Sequence, residues 1–593
     1  MIASLLSVGA PGAQSTGGGC QIAPGGIRVD GVCSAANSLH IPVAYRSILP
    51  VIIFAVGALV LLAVSAVLSK RARPGLYPSL TVVIGGLSLV ASVWEWYDVG
   101  SGSGTVKIGG QIFYDRFSAL FLILISVATI LGAMTADSYL RREGLDGVEA
   151  YVLMLMAATG AMLMAESGSL IMLFLGLEIM SIALYVMAAY HRRRTQSGEA
   201  GLKYFILGSF SSALFLYGIA LVYGATGSTE FVLIGDYLTK NVLANNGVLL
   251  AGLALLIVGL GFKVAAVPFH YWTPDVYQGS PIPFTGYMAA VAKAAGFAGL
   301  LRILTGSLIT QESVWRPIIW LLAVLTLIVG SVVAIAQKDL KRMLAYSSIS
   351  QAGYILVGLQ AASRTGTAGA LFYLFTYSFV VIGTFAVVQV VQGPGEARND
   401  LAAFRGLGRR QPLLAAAMLV LLLAQAGVPF TSGFLAKFYV IQASVDRGQY
   451  WLAVIAMLAA AVAAFFYLRV ALLMYTGGPV PAPGPGAGRP ASGSVPVGAV
   501  VGADGGPLPG GPVGATTAGG RPEDDVFGAG LAPVATLDGS GAATPMLLEE
   551  APAPVAPVPA TIAAVLFITV AFTIAAGVSS FAIDFAKAAT ALL

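Results

Sequence analysis

Residues 255–272 read LLIVGLGFKVAAVPFHYW, and the triplet Val267-Pro268-Phe269 inside them returns 161 positions later as Val428-Pro429-Phe430, within LAQAGVPFTSGFLAKFYVI at 423–441. Both stretches are apolar enough to enter a bilayer, yet each carries one lysine, Lys263 or Lys437, and one proline. Proline removes a backbone donor and kinks or breaks a helix. Broken backbone at membrane depth is tolerated only where it is buried in protein or lines a cavity. A lysine at that depth costs at least about 2.5–3.5 kcal/mol, so it needs a reason to be there. Discontinuous helices of this type build ion sites in transporters.

The rest of the chain supports a membrane reading. Hydrophobic residues make up 57% of 593 and charged ones 10%, with a mean hydropathy of +0.86. A soluble domain carries roughly 25% charge, so there is too little polar surface here to cover a water-soluble globule. The net charge of +5 belongs to topology-setting loops rather than to a nucleic-acid surface. No CxxC, Walker loop or dinucleotide-binding GxGxxG is present, so redox or nucleotide chemistry is expected in another chain.

Windows of about 20 apolar residues place fourteen helices near 47–69, 77–96, 115–136, 149–165, 168–190, 201–223, 247–269, 284–306, 316–336, 345–361, 366–392, 412–442, 451–475 and 559–585. Alternate loops hold fifteen basic residues, among them Arg141, Arg142, Arg192, Arg193, Arg194, Lys338, Lys341 and Arg342. The opposite loops hold five: Lys107, Lys240, Arg316, Arg364 and Arg447. The richer side is expected in the cytoplasm, which puts both termini outside. Spans four to eight and nine to thirteen each make a five-helix unit with one break. An odd number of helices per unit inverts the second copy, so the all-α fold is expected to contain two inverted five-helix repeats. The expected divisions are an outer N-terminal extension (1–45), three first helices (46–148), the two repeats (149–306 and 316–475), a linker (476–558) and a last helix (559–593).

The extension holds both cysteines, Cys20 and Cys33. They form either a disulfide, as an oxidising compartment allows, or two unpaired thiols. Non-reducing mass mapping decides between these. The linker opens GGPVPAPGPGAGRPASGSVPVG, too rich in Pro and Gly to bury a core, and is read as a disordered cytoplasmic strap.

Four ionisable residues stand at mid-membrane. Glu178 sits in LIMLFLGLEIMSIALYVM, with Ser181 and Tyr185 on its helical face. Lys263 precedes Pro268, and Lys437 follows Pro429 and Gly433. Lys293 lies among small residues in YMAAVAKAAGFAGLL, which allow close helix approach. Glu178 is either a satisfied structural carboxylate or a proton-handling group. Lys203, four residues after Glu199, is either half of a surface pair or part of a secondary path. His270, just past Pro268, is either structural or a proton relay. Asp115 opens the third span.

With these residues in view, the chain resembles subunit N, one of the antiporter-like membrane subunits of the bacterial proton-pumping NADH-quinone oxidoreductase, complex I. EAGLKYFILGSFSSALFLYG, GLGFKVAAVPFHYWTPDVYQGSP, QKDLKRMLAYSSISQAGYI and AQAGVPFTSGFLAKFYVI carry the resemblance, which runs from about 46 to 475. It implies fourteen helices with two inverted repeats, in a bacterial plasma-membrane translocase. It makes Glu178 the glutamate of the fifth span, Lys263 its partner on the broken seventh, Lys293 the central lysine of the eighth and Lys437 the lysine of the broken twelfth, all four in proton transfer. It implies no cofactor or metal in this chain, with flavin, iron–sulfur clusters and quinone in partner subunits. Its partners would be the other membrane and peripheral subunits and membrane lipid. The N-terminal extension and the linker depart from the pattern.

A lysine with a reference pKa of about 10.4 gives up a proton near neutral pH only where burial disfavours its charge, and a nearby carboxylate opposes that release. A Glu178–Lys263 pair is therefore expected to act as a switch: closed, it holds the proton; open, it passes the proton to Lys293 and Lys437. The competing readings are a subunit of a multi-subunit cation/proton antiporter, which has no redox partner, and a membrane hydrogenase subunit, marked by nickel in its complex. A plain scaffold leaves the buried charges unexplained.

Overall fold

The computed structural model describes residues 28–29, 44–68, 75–100, 104–241, 246–396, 399–476 and 557–590. The alternatives for Cys20 and Cys33, and the linker reading of 477–556, lie outside the described residues.

Nineteen α-helices follow in order among the described residues. The first five are α1 (Leu49–Leu68), α2 (Leu76–Asp98), α3 (Arg116–Arg142), α4 (Val148–Glu166) and α5 (Leu170–Ala188). Next come α6 (Thr195–Thr226), α7 (Phe231–Lys240), α8 (Gly247–Val264), α9 (Trp272–Gly279) and α10 (Ile282–Leu301). The second half holds α11 (Glu312–Ile335), α12 (Leu340–Gln360), α13 (Arg364–Gln392), α14 (Leu407–Arg410), α15 (Pro412–Ala426), α16 (Ser432–Asp446) and α17 (Tyr450–Thr476). Last come α18 (Ala560–Val578) and α19 (Phe581–Ala589).

Twelve helical segments among the described residues are long and apolar enough to cross a membrane, against fourteen expected. The two remaining expected spans fall on α12 and on the α15–α16 pair, and each has a physical reason to stand apart. Polar side chains interrupt α12 from Ser347 to Gln351, and α15 and α16 are each only 15 residues long because the chain breaks between them.

Helices α10 and α13 are almost wholly buried and form the centre of the bundle. The Ala and Gly run of α10 permits that close packing. Leu59, Phe205, Phe210 and Leu472 are exposed on outer helices, as a lipid-facing surface requires. A small sheet, not expected from the sequence, has the order β1 (Arg28–Val29), β2 (Thr105–Lys107), β3 (Ile112–Tyr114). Its antiparallel pair pins the link between α2 and α3: Gly168 N donates to Gln111 O at 2.7 Å.

Both breaks fall at the Val-Pro-Phe triplets. In the first, α8 ends at Val264, Ala265 takes a left-handed φ of 62°, and the chain becomes helical again at Trp272. The backbone it frees is partnered: Val267 N donates to Thr326 Oγ1 at 2.9 Å, and Trp272 Nε1 to Phe262 O at 2.9 Å. In the second, α15 ends at Ala426, Gly427 has a φ of +86°, and α16 begins at Ser432.

Candidate functional site

Lys263, Lys293 and Lys437 are 3%, 3% and 5% exposed. Such burial requires each ammonium to find oxygen partners.

Lys263, on the last turn of α8, donates to Ser181 Oγ at 2.8 Å. Its ammonium lies 5.9 Å from the centre of the Tyr185 ring and 5.6 Å from that of Tyr204. A small cavity of about 10 Å³ beside it, room for about one water, is lined by Ser181, Tyr185, Gly208, Ser211, Ser212 and Lys263. Glu178, the expected partner, is not in contact with it. Glu178 is half-buried, and its Oε1 has no hydrogen-bond partner among the described residues. Helical spacing explains the exchange: Ser181 is three residues after Glu178 and shares its face of α5, and the lysine takes the hydroxyl. Among the described residues Glu178 and Lys263 form no ion pair.

Lys293, at the middle of α10, donates to both the carbonyl and the hydroxyl of Ser348 on α12, the latter at 2.7 Å. Its ammonium sits 4.8 Å from the Tyr377 ring centre, a favourable cation–π placement. Tyr377 OH also donates to Ser348 Oγ, at 2.7 Å, and Tyr277 OH lies 3.3 Å from it. The stem of Lys263 passes over Gly296, where an added Cβ would stand 3.5 Å from Lys263 Cβ and Cγ. Gly296 is three residues from Lys293 on the same face of α10, so the absence of a side chain there brings the two lysines onto neighbouring turns.

Lys437, on α16, reaches back across its break. It donates to Gln425 O at 2.9 Å and Ala426 O at 2.8 Å, the carbonyls that the end of α15 leaves unpaired. The ammonium stands where the partial negative charge of a helix C-terminus is concentrated.

Polar residues that sequence reasoning left unassigned lie next to Ser348 on α12 and form a second network on the Lys437 side. Ser347, next to Ser348 on α12, donates to Gln425 Oε1 at 3.2 Å and bonds Tyr467 OH. Gln351 Nε2 donates to Gln425 O at 3.2 Å and to Tyr467 OH at 3.0 Å. Gln425 Nε2 donates to Thr384 Oγ1 at 2.9 Å. The signal was present as the SSISQ run inside QKDLKRMLAYSSISQAGYI, but no charge marked it.

Lys203 and His270 line one cavity of about 490 Å³, with Tyr271, Asp275, Arg342 and Tyr346. Lys203 Nζ lies 2.7 Å from Glu199 Oε1 and 2.9 Å from Asp275 Oδ2. Arg342 Nη1 lies 2.7 Å from Asp275 Oδ1. The Tyr204 and Trp272 rings, stacked at 4.5 Å, follow the lining residues Lys203 and Tyr271 in the chain, and the Tyr204 ring centre stands 5.6 Å from the Lys263 ammonium.

A membrane bundle with two broken helices and a buried lysine row held by hydroxyls and carbonyls defines the antiporter-like membrane subunits. Residues 167–463 match the family model described as NADH:quinone oxidoreductase/Mrp antiporter, TM. NADH-quinone oxidoreductase subunit N of Trichlorobacter lovleyi is 41% identical over 430 residues, covering 72% of this chain and 87% of that protein. Among solved structures, a chain of respiratory complex I from Thermus thermophilus with bound aureothin superposes with a TM-score of 0.60 at 35% identity, covering 72% of this chain and 90% of its own. A chain of the Mrp complex from Dietzia sp. superposes with a TM-score of 0.73 at 21% identity over 93% and 97% of the two chains, which is a likeness of fold. The chain belongs to the family of NADH-quinone oxidoreductase subunit N.

Proposed function

We propose that this chain is a proton-translocating subunit of an NADH-quinone oxidoreductase in the bacterial plasma membrane, and that Glu178, Lys263, Lys293 and Lys437 carry the protons. In this reading it is a non-redox subunit. Flavin, iron–sulfur clusters and quinone belong to the other membrane and peripheral subunits it assembles with, and quinone reduction there supplies the energy. In this reading the proton steps run on this chain's own side chains.

The observation that carries the reading is the bonding of the three lysines. Each is buried and bonded to hydroxyl or carbonyl oxygens, and none is ion-paired with a carboxylate among the described residues. Such an ammonium is solvated well enough to exist, yet it is not locked by an opposite charge.

In this reading the cavity of Lys203 and His270 faces the cytoplasm and both chain ends lie outside, which the excess of basic residues in alternate loops supports. Protons enter by that cavity, pass the Tyr204–Trp272 stack and reach Lys263. Closure of Glu178 onto Lys263 holds the proton, and opening onto Ser181 releases it to Lys293. From there Ser348, Ser347, Gln351 and Gln425 lead to Lys437. Residues 149–306 and 316–475 act as two inverted units, each with its own break. Each pKa unit corresponds to 1.36 kcal/mol, and moving one charge against 100 mV costs about 2.3 kcal/mol. A swing of about two units per step is therefore the right order to drive transport.

The test uses the whole complex in reconstituted vesicles. Replacing Lys263 with Met and Glu178 with Gln should depress NADH-driven acidification at least several-fold. Pumping at the unmodified rate by the double variant would sink the switch. The antiporter reading instead predicts a sodium- or potassium-dependent proton flux with no flavin or iron–sulfur subunit in the purified assembly.

A further inference from the structure

A second group of ionisable side chains lies at the ends of α2, α3, α4 and α10 remote from the Lys203 cavity, which the orientation proposed above makes the outer ends. Asp115 caps α3, accepting from Ser118 N at 2.8 Å. It also accepts two bonds from Arg302, Nη1 to Oδ2 at 2.5 Å and Nη2 to Oδ1 at 3.0 Å. Arg302 starts a π-helical turn, Arg302–Ser307, at the end of α10. Its Nη2 donates further to Ser118 Oγ at 2.8 Å and to Ala165 O at 3.4 Å. Its guanidinium carbon lies 4.3 Å from the ring centres of both Phe113 and Phe117. Asp115 and Arg302 are thus a buried, mutually neutralising and nearly satisfied pair.

Beside them are two carboxyls that this pair does not neutralise. Glu166, the last residue of α4 and the neighbour of Ala165, is 0% exposed, and Glu95, near the end of α2, is 2% exposed. All four of their oxygens are buried without a hydrogen-bond partner among the described residues. Glu166 is within electrostatic reach of Asp115 and Arg302, and Glu95 of Glu166, Asp115 and Asp98. Neither carboxyl is in an ion pair among the described residues. Asp98 accepts from Tyr114 OH at 2.7 Å, and the Arg116 guanidinium lies over the Trp96 ring at 5.2 Å.

Buried carboxyl oxygens need hydrogen-bond partners, and four of them without one, beside a third carboxylate, leave a place for a proton. A proton fits the observed geometry better than a metal ion. The carboxylates do not converge as a metal-binding group, and Arg302 would repel a cation. A π-turn at the same point is a common mark of a working site.

We propose that Glu95 and Glu166, set around the Asp115–Arg302 pair, form a proton-holding carboxyl pair from which protons leave to the outer side. The release role rests on the function proposed above. The chemistry is heterolytic: a carboxyl O–H bond breaks and its proton passes to outer water. The carboxylate is then reprotonated from the lysine row, whose Lys293 lies nine residues, or about 14 Å, from Arg302 along the same helix.

Infrared spectra of the purified complete complex test this in H₂O and D₂O. The wild type at neutral pH should show a buried, deuterium-sensitive carboxyl C=O band. Glu166→Gln and Glu95→Gln should each weaken it, and Glu166→Asp should restore it. In vesicles, Glu166→Gln should lower protons pumped per NADH by at least twofold, while Glu166→Asp should not. An absent band in the wild type overturns the proposal, and that measurement needs no variant to assemble. A band unchanged in both glutamine variants, or one that responds to sodium rather than to pH, also overturns it. Unimpaired pumping by the Lys263→Met, Glu178→Gln chain would instead overturn the function proposed above and leave the band as a separate reading of this site.

Discussion

Ser348 shows how one hydroxyl organises the centre of the molecule. Its Oγ accepts from Lys293 and Tyr377 and lies within reach of Tyr277, so three elements converge on one oxygen. A hydrogen bond to a charged group contributes about 1.5–3 kcal/mol. Ser348→Ala removes the hydroxyl and leaves the backbone carbonyl to hold the ammonium. Proton pumping in vesicles should fall about tenfold, with assembly of the complex unchanged on native gels. Glu178 and Ser181 show the limit of reading residues one at a time. The sequence marked both as sharing a face, but the competition for Lys263 between a carboxylate and a hydroxyl one turn on depends on where α8 ends.

At the scale of elements, the two breaks differ in how their freed backbone groups are used. The first break is satisfied by neutral groups, Thr326 and Trp272. In the second, Lys437 itself takes the carbonyls of Gln425 and Ala426. Gly427 makes this possible. Its φ of +86° suits glycine, and a Cβ there would lie 2.8 Å from Lys437 Cδ. Gly427→Ala should therefore combine backbone strain with displacement of the lysine, at roughly 1–3 kcal/mol. Pumping should be lost, and the matching change at Gly448, an exposed left-handed glycine with open space around it, should leave pumping intact. The triplet spacing made both breaks legible. The sheet was not legible, because strands of two or three residues carry no periodic signal.

At the scale of the whole molecule, a buried carboxylate ties the two halves together. Glu396, after α13, accepts from Tyr139 OH at 2.7 Å and Ile282 N at 3.1 Å through Oε1. Its Oε2 lies 2.8 Å from Lys341 Nζ and 2.7 Å from Arg194 Nη1. From the sequence, Lys341 and Arg194 are expected to be topology-setting loop charges. The structure instead turns Lys341 fully inward, where its ammonium also bonds Ser280 O at 2.6 Å. Burial pushes the Glu396 carboxyl up, but Lys341 and Arg194 outweigh it and hold the group below the usual carboxylate range. Its folded pKa is thus lower than its unfolded one of about 4.3. The stabilisation is present above that value and is lost as pH falls through the folded pKa. Glu396→Gln should destabilise the purified complex at pH 7 by about 3–5 kcal/mol by leaving Lys341 unpaired. Its melting temperature should also fall less steeply than that of the wild type below about pH 4.

Composition and spacing alone determined that the chain is a multi-span membrane protein, where its two helices break and which four charges stand inside apolar runs. These are local matters: about 20 apolar residues span a bilayer, proline ends a helix wherever it falls, and a charge in an apolar run is visible without a fold. Tertiary structure decided the partners. Lys263 rests on Ser181 instead of Glu178, Lys341 turns inward to Glu396, and the uncharged run Ser347–Gln351 supplies oxygen and amide partners on both lysines' sides of α12. Glu95, Glu166, Asp115 and Arg302 meet although as many as 207 positions separate them. Partnership between buried polar groups is set by which helix faces pack together, and no single stretch of sequence contains that information.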